Sequence, residues 1–122
     1  MKICINSRDE LRLVDLDSVV YLKASGNYSD FYYVNGSVRS ELSCLSDFEK
    51  LIAQSFPDGS SPFLRLGRSL LVNSDYIASV NVNKQLLTFS DGILSPLHLS
   101  RSIAKQLKQH LLEAHVTCQS SL

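Results

Sequence analysis

Turn chemistry recurs along this chain at intervals too short for most helices, and that spacing constrains the fold more than any other feature. Asn35-Gly36 is the clearest case. It separates Tyr28–Val34 from Ser37–Leu42, two runs that can alternate inward and outward side chains, and so predicts a hairpin with a type I′ turn whose central residues both take φ > 0. Ser25-Gly26-Asn27 closes the preceding run, Val19–Ala24, whose β-branched and aromatic content favours a strand. Upstream, Ser7-Arg8-Asp9 divides Lys2–Asn6 from Glu10–Val14 as an opening hairpin, and Asp15-Leu16-Asp17-Ser18 supplies a short turn into Val19. Downstream, Phe63-Leu64-Arg65-Leu66 begins a second group of strands that bends at Arg68-Ser69. It continues through Tyr76–Val82, Leu86–Ser90 and a strand after the Asp91-Gly92 turn.

Only two segments carry the helical period. Ser46-Asp47-Phe48-Glu49 reads as a capping box, after which Phe48, Leu51, Ile52 and Phe56 recur at helical spacing until Pro57-Asp58-Gly59-Ser60-Ser61-Pro62 ends the helix. From an N-cap at Ser100, residues Ile103, Leu107, Leu111 and Ala114 form one apolar stripe, with Arg101, Lys105 and Lys108 elsewhere on the same helix. The βαβαβ alternation of a nucleotide-binding sheet is missing. The predicted class is therefore mainly β, with small antiparallel sheets, one internal helix and one C-terminal helix.

At 122 residues and 44% hydrophobic content, the chain is expected to form a single domain over 1–122, with residues from about 116 to 122 fraying. A mean hydropathy of +0.02 suits neither a disordered tail nor a membrane span. No apolar run approaches the roughly 18 residues that would cross a bilayer. Lys2–Asn6 also meets the polar Ser7-Arg8-Asp9-Glu10 too soon for a signal peptide, so the expectation is a soluble, cytoplasmic protein with no membrane partner. Cys4, Cys44 and Cys118 are odd in number and form no CxxC pair, which predicts reduced, half-buried thiols rather than disulfides or a metal site.

Catalysis finds little support. Only three histidines are available to a hydrolase; His110 and His115 do not share a helix face, His98 falls in a loop, and all three lack the carboxylate and cysteine neighbours of metal ligands. Neither GxGxxG nor GxxxxGK[ST] occurs among the five glycines. The expectation is a non-enzyme with no metal and no cofactor.

Formal charge is zero, with 12 Lys and Arg against 12 Asp and Glu, so no global basic field announces nucleic acid. The distribution says more. Residues 1–58 hold six basic and nine acidic residues, a net −3, and residues 59–122 hold six basic and three acidic, a net +3. Two places in the second half stand out. Phe63-Leu64-Arg65-Leu66-Gly67-Arg68-Ser69-Leu70-Leu71-Val72-Asn73 lies in a stretch, 59–74, without an acid, and Arg68-Ser69 falls where the strand must bend. A guanidinium there can read guanine bidentately or clamp a phosphate; it can equally make a surface ion pair. Ser100-Arg101 opens the terminal helix, where amides, dipole and cation can hold a phosphate together, or where Ser100 simply caps.

The order Val19-Val20-Tyr21-Leu22-Lys23-Ala24-Ser25-Gly26-Asn27-Tyr28, then a helix, then Phe63 to Asn73, then Ser100-Arg101, resembles the LytTR family of bacterial DNA-binding domains over about residues 8–112. The resemblance implies an elongated set of antiparallel sheets. It implies a transcription regulator that inserts loops into DNA grooves, with duplex DNA as partner, repeated half-sites and a homodimer on DNA. Carried over by position, it implies contacts from Asn27, Tyr28 and Ser29 in a first loop, Arg68 and Ser69 in a central one, and Ser100 and Arg101 in a third. Lys23, Lys105 and Lys108 would screen phosphates more weakly. Gly67 stands where the family usually has histidine. Between Gly92 and Ser100 the chain runs about two residues longer than the family pattern, so His98 is an alternative to Ser100 for the family's serine. The competing reading is a protein-interaction module on the same β scaffold.

Overall fold

The computed structural model describes residues 1–90, 92–115 and 117–119; Asp91 of the expected turn and residues 116 and 120–122 of the expected fraying tail lie outside them. The chain divides into two compact units, Met1–Tyr76 and Ile77–Leu122.

The first unit opens with the expected hairpin: β1 (Lys2–Asn6) and β2 (Leu11–Asp15) pair antiparallel from Lys2↔Asp15 to Asn6↔Leu11. Asp15 then caps a single 3-10 turn, Leu16–Ser18, by accepting from the Asp17 amide at 3.0 Å. Five further strands form one antiparallel sheet: β3 (Val19–Ser25), β4 (Tyr28–Tyr33), β5 (Val38–Leu42), β6 (Phe63–Leu66) and β7 (Leu70–Asn73), in the spatial order β5-β4-β3-β7-β6. Helix α1 (Leu45–Gln54) packs its apolar face, Leu45, Phe48 and Ile52, against Leu22, Phe31 and Leu71 of the sheet and Ile3, Val14 and Leu16 from the opening segments. Phe31 and Phe48 meet edge to face, with centroids 5.0 Å apart. Burial of this cluster is the main stabilisation of the unit, each large apolar side chain contributing about 1.5–3 kcal/mol.

Two local elements differ from the sequence expectation. The Asn35-Gly36 loop is not a type I′ turn: only Gly36 has positive φ (89°), and the Gly36 amide donates to the Tyr33 carbonyl at 2.9 Å across Val34 and Asn35. The Asn35 side chain instead accepts from the Ser37 amide (2.9 Å), which lets the loop close without left-handed geometry at Asn35. The capping box also fails. Helix α1 begins at Leu45 with Cys44 as an N-cap that makes no side-chain bond, which places Ser46 inside the helix. Starting earlier buries Leu45 in the core, and that apolar gain exceeds the roughly 1 kcal/mol of a cap.

The second unit contains β8 (Ile77–Asn81), β9 (Leu86–Phe89) and the two-residue β10 (Leu97–His98), in the order β10-β9-β8, and helix α2 (Arg101–Ala114). Ser100 caps α2 as expected, its Oγ accepting from the Ile103 amide at 3.3 Å. Among the described residues of this unit, the buried side chains are Leu87, Phe89, Leu99, Ala104 and Leu107. The expected stripe thus holds at Leu107, is half-covered at Ile103 and Leu111, and ends before the exposed Ala114. The three cysteines are all exposed rather than half-buried. Among the described residues, no helix is long and apolar enough to cross a membrane.

Candidate nucleic-acid interface

Antiparallel pairing brings two of the three expected loops side by side. Strand β3 runs into the Gly26-Asn27 turn at its C-terminal end, and β7 leaves the Gly67-Arg68-Ser69 turn at its N-terminal end; pairing of Lys23 with Leu70 sets these ends together. The Ala24 amide donates to the Ser69 carbonyl at 2.9 Å, tying one turn to the strand that feeds the other. Both turns need left-handed backbone, and glycine supplies it: φ is +60° at Gly26 and +68° at Gly67.

Asn27 and Tyr28 are exposed at this end of the sheet, Tyr28 at 47%. Ser29 is not. Its side chain is fully buried and its hydroxyl donates to the Ser43 carbonyl at 2.9 Å, because strand alternation turns it toward the α1 face while Tyr28 turns outward. Ser29 therefore secures the start of α1 and does not present a hydroxyl to solvent.

Arg68 and Ser69 are exposed on the second turn, and the Arg68 guanidinium meets no acid among the described residues. The turn under it is braced by a residue whose role the sequence did not disclose. Arg65 donates Nε to the Gly67 carbonyl (2.9 Å), Nη2 to the Arg68 carbonyl (2.9 Å) and Nη1 to Glu49 Oε1 (2.8 Å). Its planar fork thus satisfies two turn carbonyls and fastens the hairpin to α1, a geometry lysine cannot copy. Arg65 lies on β6, two residues before Gly67, whereas Glu49 lies on α1, and nothing in their spacing brings the two together.

The same sorting divides all six arginines. Arg12 pairs with Glu41, and Arg39 pairs with Glu10 at 3.0 Å. Arg65 pairs with Glu49. Arg8, Arg68 and Arg101 have no acidic partner among the described residues and are exposed. The buried Asn73 that ends the motif is structural: its Nδ2 donates to the Val19 carbonyl at 3.0 Å and its Oδ1 accepts from the Asp75 amide at 3.0 Å, joining β7 to β3.

In the second unit, Ser100 and Arg101 are exposed at the start of α2, and Lys105 and Lys108 are exposed along it, bordering a groove with Asn81 and Asn83. Lys23 is exposed on β3, opposite Asp30 of β4. Among the described residues, no cluster of three His, Cys, Asp or Glu side chains is arranged to hold a metal ion.

No curated protein sequence matches the chain. A solved structure described as the LytTr DNA-binding domain of a methyl-accepting/DNA response regulator from Bacillus cereus superimposes with a TM-score of 0.65 at 20% identity. That match covers 90% of this chain and 95% of the other, and it shows a shared fold. The family model of the LytTr DNA-binding domain matches residues 9–112, and the chain belongs to that family.

Proposed function

We propose that this chain is the sequence-specific, duplex-DNA-binding domain of a bacterial transcription regulator, reading DNA through loops rather than a recognition helix. The observation that carries the reading is the pair of glycine turns at one end of the five-stranded sheet, with Arg68, which has no acidic partner among the described residues, on the second turn braced by Arg65. A guanidinium on a braced turn loses little freedom when it binds, which favours bidentate contact with a guanine edge or a phosphate. Asn27 and Tyr28 contact DNA from the first turn, Arg68 and Ser69 from the second, and Ser100 and Arg101 from the start of α2. Lys23, Lys105 and Lys108 add phosphate attraction without reading sequence. Residues 1–122 act as one DNA-binding module whose working partner is a repeated half-site occupied by two copies.

Selection from a random duplex library, followed by anisotropy titration of the enriched sequences at two salt concentrations, tests this. An enriched spaced repeat is expected, bound with an affinity that falls steeply with salt, log K dropping by about 0.9 per log unit for each phosphate neutralised. A folded protein that enriches nothing and binds no duplex at low salt refutes the proposal and favours a protein-interaction module.

A further inference from the structure

Strand β5 is an outer edge of the five-stranded sheet, and it lacks the devices that usually keep such an edge from pairing. It contains no proline or glycine, and its register with β4 runs unbroken from Tyr28↔Leu42 to Tyr32↔Val38, without a bulge. Its two charged side chains, Arg39 and Glu41, are drawn to the α1 side of the sheet by Glu10 and Arg12. On the opposite face, Val38 is 50% and Leu42 70% exposed. Ser40 lies between them, its hydroxyl bonded to Asp30.

We propose that β5 is a homodimer contact, pairing antiparallel with β5 of a second copy about a two-fold axis through Ser40. The pattern of the strand selects both the occupant and the register. Val38-Arg39-Ser40-Glu41-Leu42 is self-complementary when reversed: Val38 lies beside the partner's Leu42 on one face, and Arg39 beside the partner's Glu41 on the other. Registers centred two-fold on Arg39 or on Glu41 oppose like charges at the axis, which is destabilising. Registers displaced by one residue set apolar side chains against charged ones. Only the pairing through Ser40 matches every position, and it joins two five-stranded sheets into one continuous sheet.

Sedimentation equilibrium of the intact chain without DNA tests the contact separately from DNA binding, so that either can fail alone. The apparent mass is expected to rise from one chain to two with concentration, and Leu42→Lys, at an exposed position, to hold it at one chain with an unchanged circular dichroism spectrum. In a background carrying Cys4→Ser, Cys44→Ser and Cys118→Ser, Ser40→Cys is expected to form a covalent dimer under mild oxidation while Ser37→Cys does not. A single-chain mass at every concentration, a dimer indifferent to Leu42→Lys, or equal crosslinking at both cysteine positions overturns the proposal.

Discussion

Replacing Arg65 separates the bracing of the Arg68 turn from everything else this side chain does. Arg65→Ala removes two hydrogen bonds to turn carbonyls and an ion pair with Glu49. Hydrogen bonds from charged donors contribute about 1.5–3 kcal/mol when buried. These carbonyls lie at an exposed turn where water replaces the donor, so about 1 kcal/mol each is the appropriate figure, and the partly exposed ion pair adds under 1 kcal/mol. Chemical denaturation should therefore show a loss of about 2–3 kcal/mol. Arg65→Lys keeps a cation for Glu49 but has no fork for the carbonyls, so it should lose less stability yet release the turn. On the DNA-reading proposal, ordering that turn at the moment of binding costs about 1–2 kcal/mol, roughly 5- to 30-fold in affinity. The decisive readout is a double-mutant cycle on DNA affinity: once Arg68→Ala has removed the contact, Arg65→Lys should have almost no further effect. Equal losses from Arg65→Lys with and without Arg68 would mean that Arg65 acts on DNA by itself, and the bracing argument would be wrong.

Other substitutions have sharper single outcomes. Arg68→Ala should weaken DNA binding by about 1–3 kcal/mol and relax preference at one base position, with thermal unfolding close to that of the parent. Arg101→Ala should lower the salt slope of binding by about 1 if it clamps a phosphate, measured by anisotropy across a salt series. Asn73→Ala leaves the Val19 carbonyl and the Asp75 amide without their side-chain partners and should destabilise the first unit by about 2–3 kcal/mol in denaturant titration. Burial, with the stacked Tyr32 ring beside it, pushes the Tyr21 phenol up to about 12. Its folded-state value lies above the ordinary value near 10, so its contribution is fully present below pH 10 and is lost as pH rises through about 12. Unfolding curves across that window should show the decline, and Tyr21→Phe should flatten it.

Strand periodicity and turn chemistry carried most of the fold, because both depend on residues close in sequence. The opening hairpin, the break at Gly26-Asn27, the bend at Arg68-Ser69 and the Ser100 cap are all local signals, and each appears where the sequence placed it. The errors arose where a distant partner outweighed a local preference. Ser46 and Glu49 form a sound capping box in isolation, yet Leu45 gains a core and Glu49 gains Arg65. Asn35-Gly36 favours a type I′ turn in an isolated hairpin, but the Asn35 side chain finds the Ser37 amide and needs no positive φ. For the candidate site, the exposed Arg68 was legible because a polar residue at a bend has nowhere to go but outward. The burial of Ser29 was not legible, because a two-residue turn leaves its neighbours on alternating faces and the face Ser29 occupies is set by α1, which follows it in the chain.

Charge pairing resolves the tension between a formally neutral protein and a polyanionic partner. Net charge sums every ionised group, but a phosphate responds only to charges that are exposed and uncompensated within about a Debye length, roughly 8–10 Å in ordinary salt. In the first unit, the acids Glu10, Glu41 and Glu49 are spent on Arg12, Arg39 and Arg65. Arg68, at the loop end of the sheet, meets no acid among the described residues. The acid-free stretch of 59–74 was thus a statement about local field, and the zero total was not. A protein built this way attracts DNA weakly at long range and holds it by a few placed cations at contact, so its discrimination between sequences should survive in salt that abolishes its non-specific binding.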